Sequence, residues 1–225
     1  MTDIKVHSIP GSPYGRAVLI ELEEKHAPYR VVPVAPKTLR SPEHLARHPF
    51  GRVPILEHGD FRLYETQAIL RYLDRALPGP TLAPPEPRSA ARMDQLMNVN
   101  DWYLFQGAGN VIGFQRVVAP KLLGLTPDET AIAAAMPKAH VVFDALAHEL
   151  GDGAYFGGDT PSLADIMIAA QIDFFTGTPE WPALTAKNPN LVRWMERMNG
   201  RPSMRATTWD RVAAMAQGTP ASCAP

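Results

Sequence analysis

The stretch that most constrains this chain runs from Val53 to Leu70. It opens with Val53-Pro54-Ile55-Leu56, and its single proline predicts the start of a buried strand, because proline cannot donate to an interior ladder. Gly59-Asp60 supplies the turn of a hairpin, and Phe61-Arg62-Leu63-Tyr64 alternates as a second strand should. Glu65 then opens a helical pattern.

The residues before this stretch predict a small α/β domain. Ile4–Ile9 alternates as a first strand, and Ser12-Pro13 combines an N-cap with a first-turn proline to start a helix. Arg30–Val34 predicts a second strand, and Ser41-Pro42 announces a short helix. The predicted order over residues 1–78 is therefore β-α-β-α-β-β-α.

A change of composition divides the chain. Proline and glycine dominate residues 79–88, which we predict to be a linker. Residues 89–215 have helical patterns throughout and predict an all-helical domain, including one long helix from Ser89 to about Val118. Residues 216–225 are expected to be a flexible tail, and they hold Cys223, the single cysteine.

The formal net charge of −1 gives no reason to expect nucleic acid or an anionic membrane as a partner. The N-terminus lacks the layout of a secretory signal, and no apolar run is long enough to span a bilayer. One cysteine cannot form an internal disulfide, and the histidines show no metal-ligand spacing. We expect a soluble cytoplasmic protein with no metal and no cofactor.

Three motifs, in this order and spacing, carry a resemblance. His48–Pro54 is similar to Asn-Pro-Phe-Gly-x-Val-Pro, Glu65-Thr66 is similar to a Glu-Ser pair, and Ser162 to Asp165 forms a Ser-x-x-Asp box. Together they resemble the cytosolic glutathione transferases of bacterial type with a serine-type active site, from about Ile4 to Met215. The resemblance implies a thioredoxin-like domain followed by a helical bundle, a homodimer, and glutathione as co-substrate.

The resemblance also implies how glutathione is held. Pro54 is expected to be cis, with the backbone of Val53 pairing with the tripeptide as an added strand does. Thr66 would bind the γ-glutamyl carboxylate through its N–H and hydroxyl at a helix N-terminus, and Glu65 would face the ligand's ammonium. The alternative is that Glu65 and Thr66 only cap a helix.

Two basic residues, Arg52 and Lys37, lie near this groove and are expected to meet the carboxylates of glutathione. A solvated surface charge is the alternative for Lys37. Ser162 and Asp165 are different, because their box satisfies helix N–H groups and is expected to be structural.

Ser12 is the predicted catalytic residue. Ser12-Pro13-Tyr14-Gly15 resembles the Cys-Pro-Tyr-Cys of glutaredoxins with both cysteines replaced, so thiol–disulfide exchange should be absent. A hydroxyl at a helix N-terminus can instead donate to the thiolate of glutathione and lower the pKa of its thiol. The alternative is an N-cap only, with the two roles competing for one oxygen. Tyr14 is a rival for this role, or it lines the electrophile pocket.

The electrophile site is expected between the domains. Its aromatic and polar candidates on the long helix are Trp102, Tyr103, Phe105 and Gln106. These side chains are equally suited to a domain or dimer interface. The expected function is conjugation of glutathione to small hydrophobic electrophiles. The alternatives are glutathione-dependent peroxidase or isomerase chemistry, and a non-catalytic binding or scaffold protein with this fold.

Overall fold

The structure is a computed structural model that describes residues 3–217. The chain forms two compact units: residues 3–81 with residues 201–217, and Leu82–Gly200. Residues 201–215, which the sequence assigned to the helical domain, thus cluster with the first unit. Residues 218–225 of the predicted tail, with Cys223, lie outside the described residues, whereas Ala216 ends a helix.

The first unit is built on a four-stranded sheet in the order β2-β1-β3-β4. Only the β1–β2 pair is parallel, and the other two pairs are antiparallel. The elements are β1 Ile4–Ser8, α1 Pro13–Glu24, β2 Arg30–Pro33, a 3-10 turn Pro36–Thr38, α2 Pro42–Leu45, β3 Ile55–His58, β4 Phe61–Tyr64 and α3 Thr66–Ala76. This confirms the predicted β-α-β-α-β-β-α order and the thioredoxin-like class.

The core of this unit lies between the sheet and the packed pair α1 and α3. Val6 and Leu56 of the central strands are fully buried, as are Leu19 of α1 and Ile69 of α3. Buried positions follow the period of each element. Alternate residues of a strand, and residues three or four apart on a helix, point to the same side. Burying each such side chain contributes about 1.5–3 kcal/mol.

A buried charge cluster joins α1 to α3. Lys25 Nζ lies 2.8 Å from Asp74 Oδ1 and also donates to the Asp74 carbonyl at 2.9 Å. Glu21 is fully buried one turn earlier, and neither carboxylate oxygen has a hydrogen-bond partner within residues 3–217. Burial, reinforced by the charge of Asp74, raises the pKa of Glu21 well above its ordinary value.

Two short helices near the C-terminus, α9 Pro202–Ala206 and α10 Trp209–Ala216, complete the first unit. The Arg201 guanidinium holds the Glu24 carboxylate through two hydrogen bonds of 2.7 Å, and the Ser203 hydroxyl donates to the same group. Although burial opposes it, these hydrogen bonds lower the pKa of Glu24. This paired acid attaches α9 to the end of α1.

The second unit is helical. Its elements are α4 Pro87–Val99, a π-helix Asn100–Leu123, α5 Glu129–Leu150, α6 Leu163–Thr176, α7 Trp181–Thr185 and α8 Pro189–Asn199. The predicted long helix is therefore an α-helix that continues as a π-helix, which Gly124 ends with φ +65°. α6 is buried on nearly every side, so it forms the centre of the unit.

The Ser162–Asp165 box has the predicted structural role. The Asp165 carboxylate accepts hydrogen bonds of 2.8–3.0 Å from the N–H groups of Ser162, Phe156 and Gly157. It also accepts from the Ser162 hydroxyl and from the indole N–H of Trp194, both at 2.9 Å. One buried carboxylate thus connects the start of α6, the preceding loop and α8. No helix within residues 3–217 combines the length and apolar character needed to cross a membrane.

Candidate active site

The predicted glutathione-binding segments meet at one end of the sheet. In the ladder, His7 of β1 pairs with Ile55 of β3, and Ile55 pairs with Tyr64 of β4. Because Ile55 begins β3 and Tyr64 ends β4, the loop before β3 and the turn after β4 leave at the same end as the loop after β1. Those three segments carry Val53-Pro54, Glu65-Thr66 and Ser12.

Ser12 is the N-cap of α1, with φ −76° and ψ 116°, and its Oγ accepts from the Gly15 N–H at 3.2 Å. A hydroxyl has two lone pairs and one hydrogen, so accepting this bond leaves the Ser12 hydrogen available to donate. Accepting the cap hydrogen bond therefore does not by itself prevent Ser12 from donating to a thiolate. The cap instead fixes the oxygen at the helix N-terminus, where the macrodipole favours an anion.

Two glycines allow the Ser12 loop to take this path. Gly11 has φ +88°, and a Cβ there would lie 2.0 Å from the Trp209 ring of α10. A Cβ at Gly15 would lie 1.9 Å from Ser8 Oγ at the end of β1. The aromatic ring and the strand therefore enclose the loop from two sides, and a side chain at either glycine would force the Trp209 ring, Ser8 or the loop itself to shift.

The Val53–Pro54 peptide bond is cis, which confirms the prediction. Pro54 is buried and Val53 is half-buried directly before β3, so the ring is part of the core while the backbone before it forms the edge of the site.

Glu65 has an unusual conformation at the start of α3. Its φ of 72° and ψ of 113° lie outside the regions that residues with a Cβ prefer, and its side chain makes no capping hydrogen bond. The Glu65 side chain is exposed, whereas Thr66 is buried. Glu65 is therefore the N-cap residue of α3, but its side chain does not cap the helix. Strain of this kind persists only where the surrounding structure holds the residue in place, and it is common at active sites and ligand-binding sites.

The predicted basic residues are both exposed. Arg52 lies in the loop before β3, and Lys37 lies in the 3-10 turn that follows β2. The structure adds Arg40, whose Nη1 donates to the Phe50 carbonyl at 3.3 Å and whose side chain lies against Gly51. Sequence reasoning missed Arg40, although its place directly before the Ser41-Pro42 helix start was an available signal.

The predicted electrophile residues fall in both units. Tyr14 is half-buried in the first turn of α1. Trp102, Tyr103 and Gln106 line an apolar groove of about 550 Å³ between the π-helix and α5, together with Lys138 and the valines of α5. Phe105 lies instead beside Gly109. Trp102 and Tyr103 are 68% and 64% exposed, and Val141 on α5 is 71% exposed.

Within residues 3–217, no three His, Cys, Asp or Glu side chains gather in an arrangement that could hold a metal ion. The polar groups at the end of the sheet are the hydroxyls of Ser12 and Thr66, backbone groups, one acid and several basic residues. This set suits a zwitterionic peptide with carboxylates rather than a cation.

Comparison with known proteins agrees with the fold. A family model described as the glutathione S-transferase N-terminal domain matches residues 6–81, and one described as the C-terminal domain matches residues 111–202. The probable glutathione S-transferase GSTF1 of Oryza sativa subsp. japonica is 30% identical over 210 residues, covering 91% of this chain and 95% of the relative.

Solved structures are similar over the full length. Glutathione transferase F7 from Populus trichocarpa has a TM-score of 0.80 at 29% identity, covering 95% of this chain and 99% of its own. Glutathione S-transferase I, solved with lactoylglutathione, has a TM-score of 0.79 at 30% identity, with coverage of 95% and 99%. A thioredoxin-like unit and a helical unit thus define the class, and the chain belongs to the glutathione S-transferase family. The bacterial and serine types stay predictions.

Proposed function

We propose that the protein conjugates glutathione to small hydrophobic electrophiles and that the Ser12 hydroxyl stabilises the glutathione thiolate. The observation that carries the proposal is the Gly15 N–H to Ser12 Oγ hydrogen bond of 3.2 Å at the N-terminus of α1. It orients the hydroxyl and leaves its hydrogen free for the sulfur. Accepting a hydrogen bond also polarises the O–H group and makes it a better donor.

In the proposed reaction, the thiol of bound glutathione loses its proton to solvent, and Ser12 donates to the resulting thiolate. The sulfur attacks the electrophilic carbon, so that a C–S bond forms and the leaving group departs with its electron pair. Proximity of the two reactants and the larger thiolate fraction supply the rate. Glutathione is thus a co-substrate, and the scheme uses no cofactor.

The proposed glutathione contacts follow the end of the sheet. The backbone of Val53, held beside Pro54, pairs with the cysteinyl unit. The Thr66 N–H and hydroxyl bind the γ-glutamyl carboxylate, and the exposed acid of Glu65 meets the ammonium. Arg52 and Lys37 are proposed for the glycyl carboxylate.

For the electrophile we propose Tyr14, two residues after Ser12. The groove beside Trp102 has two candidate occupants, the electrophile and a second copy of the chain. The exposure of Trp102, Tyr103 and Val141, and of Phe50 at 60% on the first unit, supports a homodimer that covers these apolar side chains.

The variant Trp102→Ala can distinguish an electrophile site from a dimer interface in this groove. If the groove is the dimer face, Trp102→Ala should shift sedimentation toward the monomer at micromolar concentration. A raised KM for the electrophile with an unchanged mass would assign Trp102 to the electrophile site.

The function itself is tested by measuring conjugation of glutathione to chlorodinitrobenzene by the wild type and Ser12→Ala. We expect saturable activity that falls sharply in the variant. Activity with cumene hydroperoxide alone would favour the peroxidase alternative. If Ser12→Ala left every property unchanged while a partner protein co-purified, the scaffold alternative would replace the proposal. A cytoplasmic location stays a prediction.

A further inference from the structure

Two histidines of one short segment lie directly behind the proposed glutathione site. His44, in α2, has its Nε2 atom 2.9 Å from the carbonyl oxygen of Arg52. Because a carbonyl oxygen can only accept, Nε2 carries the proton in this contact. Both the neutral Nε2–H tautomer and the imidazolium can donate this bond, so His44 anchors the Arg52 carbonyl in either protonation state.

His48 lies one turn further on, where the family motif typically has asparagine. Its ring is 4.6 Å from the ring of Tyr64 and meets the edge of Phe50 at 6.1 Å. Its own carbonyl accepts from the Gly51 N–H at 2.9 Å. His48 therefore contacts the loop that leads to Val53-Pro54, and also the residue directly before Glu65.

The surroundings of His48 suit only its neutral form. The residue is 2% exposed, and its buried Nδ1 atom finds no hydrogen-bond partner within residues 3–217. An imidazolium would need an acceptor at both nitrogens. The titratable and charged groups that face it are His44 on α2, Arg52 in the loop and the phenol of Tyr64 at the end of β4.

Within residues 3–217, no carboxylate is among the groups that shift the pKa of His48. Burial first, and then the nearby charges of His44 and Arg52, lower the pKa of His48 below its ordinary value of 6.5. The ring therefore stays neutral to a lower pH than an ordinary histidine does.

We propose that His44 and His48 are positioning residues of the glutathione site: they hold the Arg52–Val53 backbone and the Tyr64–Glu65 corner in the binding geometry, and protonation of His48 releases that geometry. The inference rests on the proposed function, because it concerns affinity for glutathione. The imidazolium turns away from His44 and Arg52 toward water, so the ring contacts of His48 with Tyr64 and Phe50 are lost.

Because the pKa of His48 is lowered, the affinity for glutathione should change with pH in one definite direction. Binding that needs neutral His48 is unaffected above pH 6.5 and weakens as pH falls below the pKa of the folded protein, by about tenfold per pH unit. The contact of His44 with the Arg52 carbonyl needs only a proton on Nε2, which the neutral Nε2–H tautomer and the imidazolium both carry. The pH dependence of affinity therefore belongs to His48.

The test measures the dissociation constant of S-methylglutathione by calorimetry from pH 8 to 5.5. This probe has no thiol to titrate, so its affinity does not report on Ser12. The variants are His48→Asn, which is neutral at every pH, and His58→Asn as a matched control. His58 is a half-buried histidine at the other end of β3, where its Nδ1 lies 2.9 Å from the Tyr72 hydroxyl.

We expect affinity to fall in acid for the wild type and for His58→Asn, and to stay level for His48→Asn. Equal pH profiles for the wild type and His48→Asn would overturn the inference and leave the proposed function standing. A level wild-type profile would overturn it as well.

A second measurement needs no ligand. In the protein without glutathione, the amide resonances of Val53 and Thr66 should titrate with the His48 ring, and both should stop doing so in His48→Asn. If S-methylglutathione binds at no pH, the proposed function fails while these resonances still decide the positioning role. If these amide resonances did not change as the His48 ring titrates, the positioning role of His48 would be overturned.

Discussion

Three substitutions at Ser12 can distinguish its role as a helix cap from its proposed role in catalysis. Ser12→Ala removes the acceptor for the Gly15 N–H and the donor for the thiolate together. Ser12→Asp keeps an acceptor for the helix but has no hydrogen to donate, and its charge repels a thiolate. Ser12→Thr keeps both functions. The three variants therefore measure separately how much the Ser12 hydroxyl contributes to folding stability and how much it contributes to catalysis.

The structure supports a magnitude for each role. Loss of the N-cap hydrogen bond in Ser12→Ala should lower the free energy of unfolding by about 0.5–2 kcal/mol. Loss of a hydrogen bond to a charged group costs about 1.5–3 kcal/mol, which corresponds to a rise of about 1–2 in the pKa of the bound thiol. At a pH below that pKa, the thiolate fraction and kcat/KM should fall about 10- to 100-fold.

The assays are urea unfolding for stability and conjugation of chlorodinitrobenzene for kcat/KM. We expect Ser12→Ala to lose both stability and activity, Ser12→Asp to lose activity alone, and Ser12→Thr to keep most of both. Wild-type activity in Ser12→Asp would refute the argument, because no serine-derived donor would then be needed.

Three further substitutions test other parts of the account. Glu65→Gly should raise the free energy of unfolding by about 1 kcal/mol by relieving the positive φ, whereas Glu65→Ala should not, and both should weaken glutathione binding in calorimetry. For Glu21, the raised pKa means that the folded state keeps a proton which the unfolded state releases above its ordinary value of 4.5. Relative to Glu21→Gln, the wild type should therefore lose stability in urea unfolding as pH rises from 4.5 to 7, and a pH-independent difference would contradict this. Asp165→Asn should lower the free energy of unfolding by about 3 kcal/mol or more, because donors around one buried carboxylate lose their partner; a thermal midpoint equal to that of the wild type would contradict the structural role of the box.

The structural features that could be predicted from the sequence are those that depend on a few neighbouring residues. Alternation in β1 and β4, the caps of α1 and α6, and the proline before β3 are each decided by a few neighbouring residues. Ser12 was identified as the N-cap of α1 in this way, because it stands directly before a first-turn proline. The cis bond at Pro54 followed only from the family motif, since most bonds before proline are trans.

Features that depend on distant contacts were not predictable in this way. The glycines of the long helix indicated a bend, but a π-helix depends on packing against α5 and α6. Placing residues 201–216 with the first unit depends on Arg201 meeting Glu24, far away in sequence. The positive φ of Glu65 and the contact between His44 and Arg52 likewise appear only once the sheet brings its loops together.

The most direct test of the central claim is the ultraviolet absorbance of the thiolate of glutathione bound to this protein, titrated with pH. For the wild type we predict a midpoint well below that of free glutathione, and for Ser12→Ala a midpoint that moves back toward the free value. A midpoint equally depressed in both proteins would contradict the role of Ser12 and assign activation to Tyr14 or to backbone N–H groups. A midpoint equal to that of free glutathione in the wild type would contradict thiolate activation altogether.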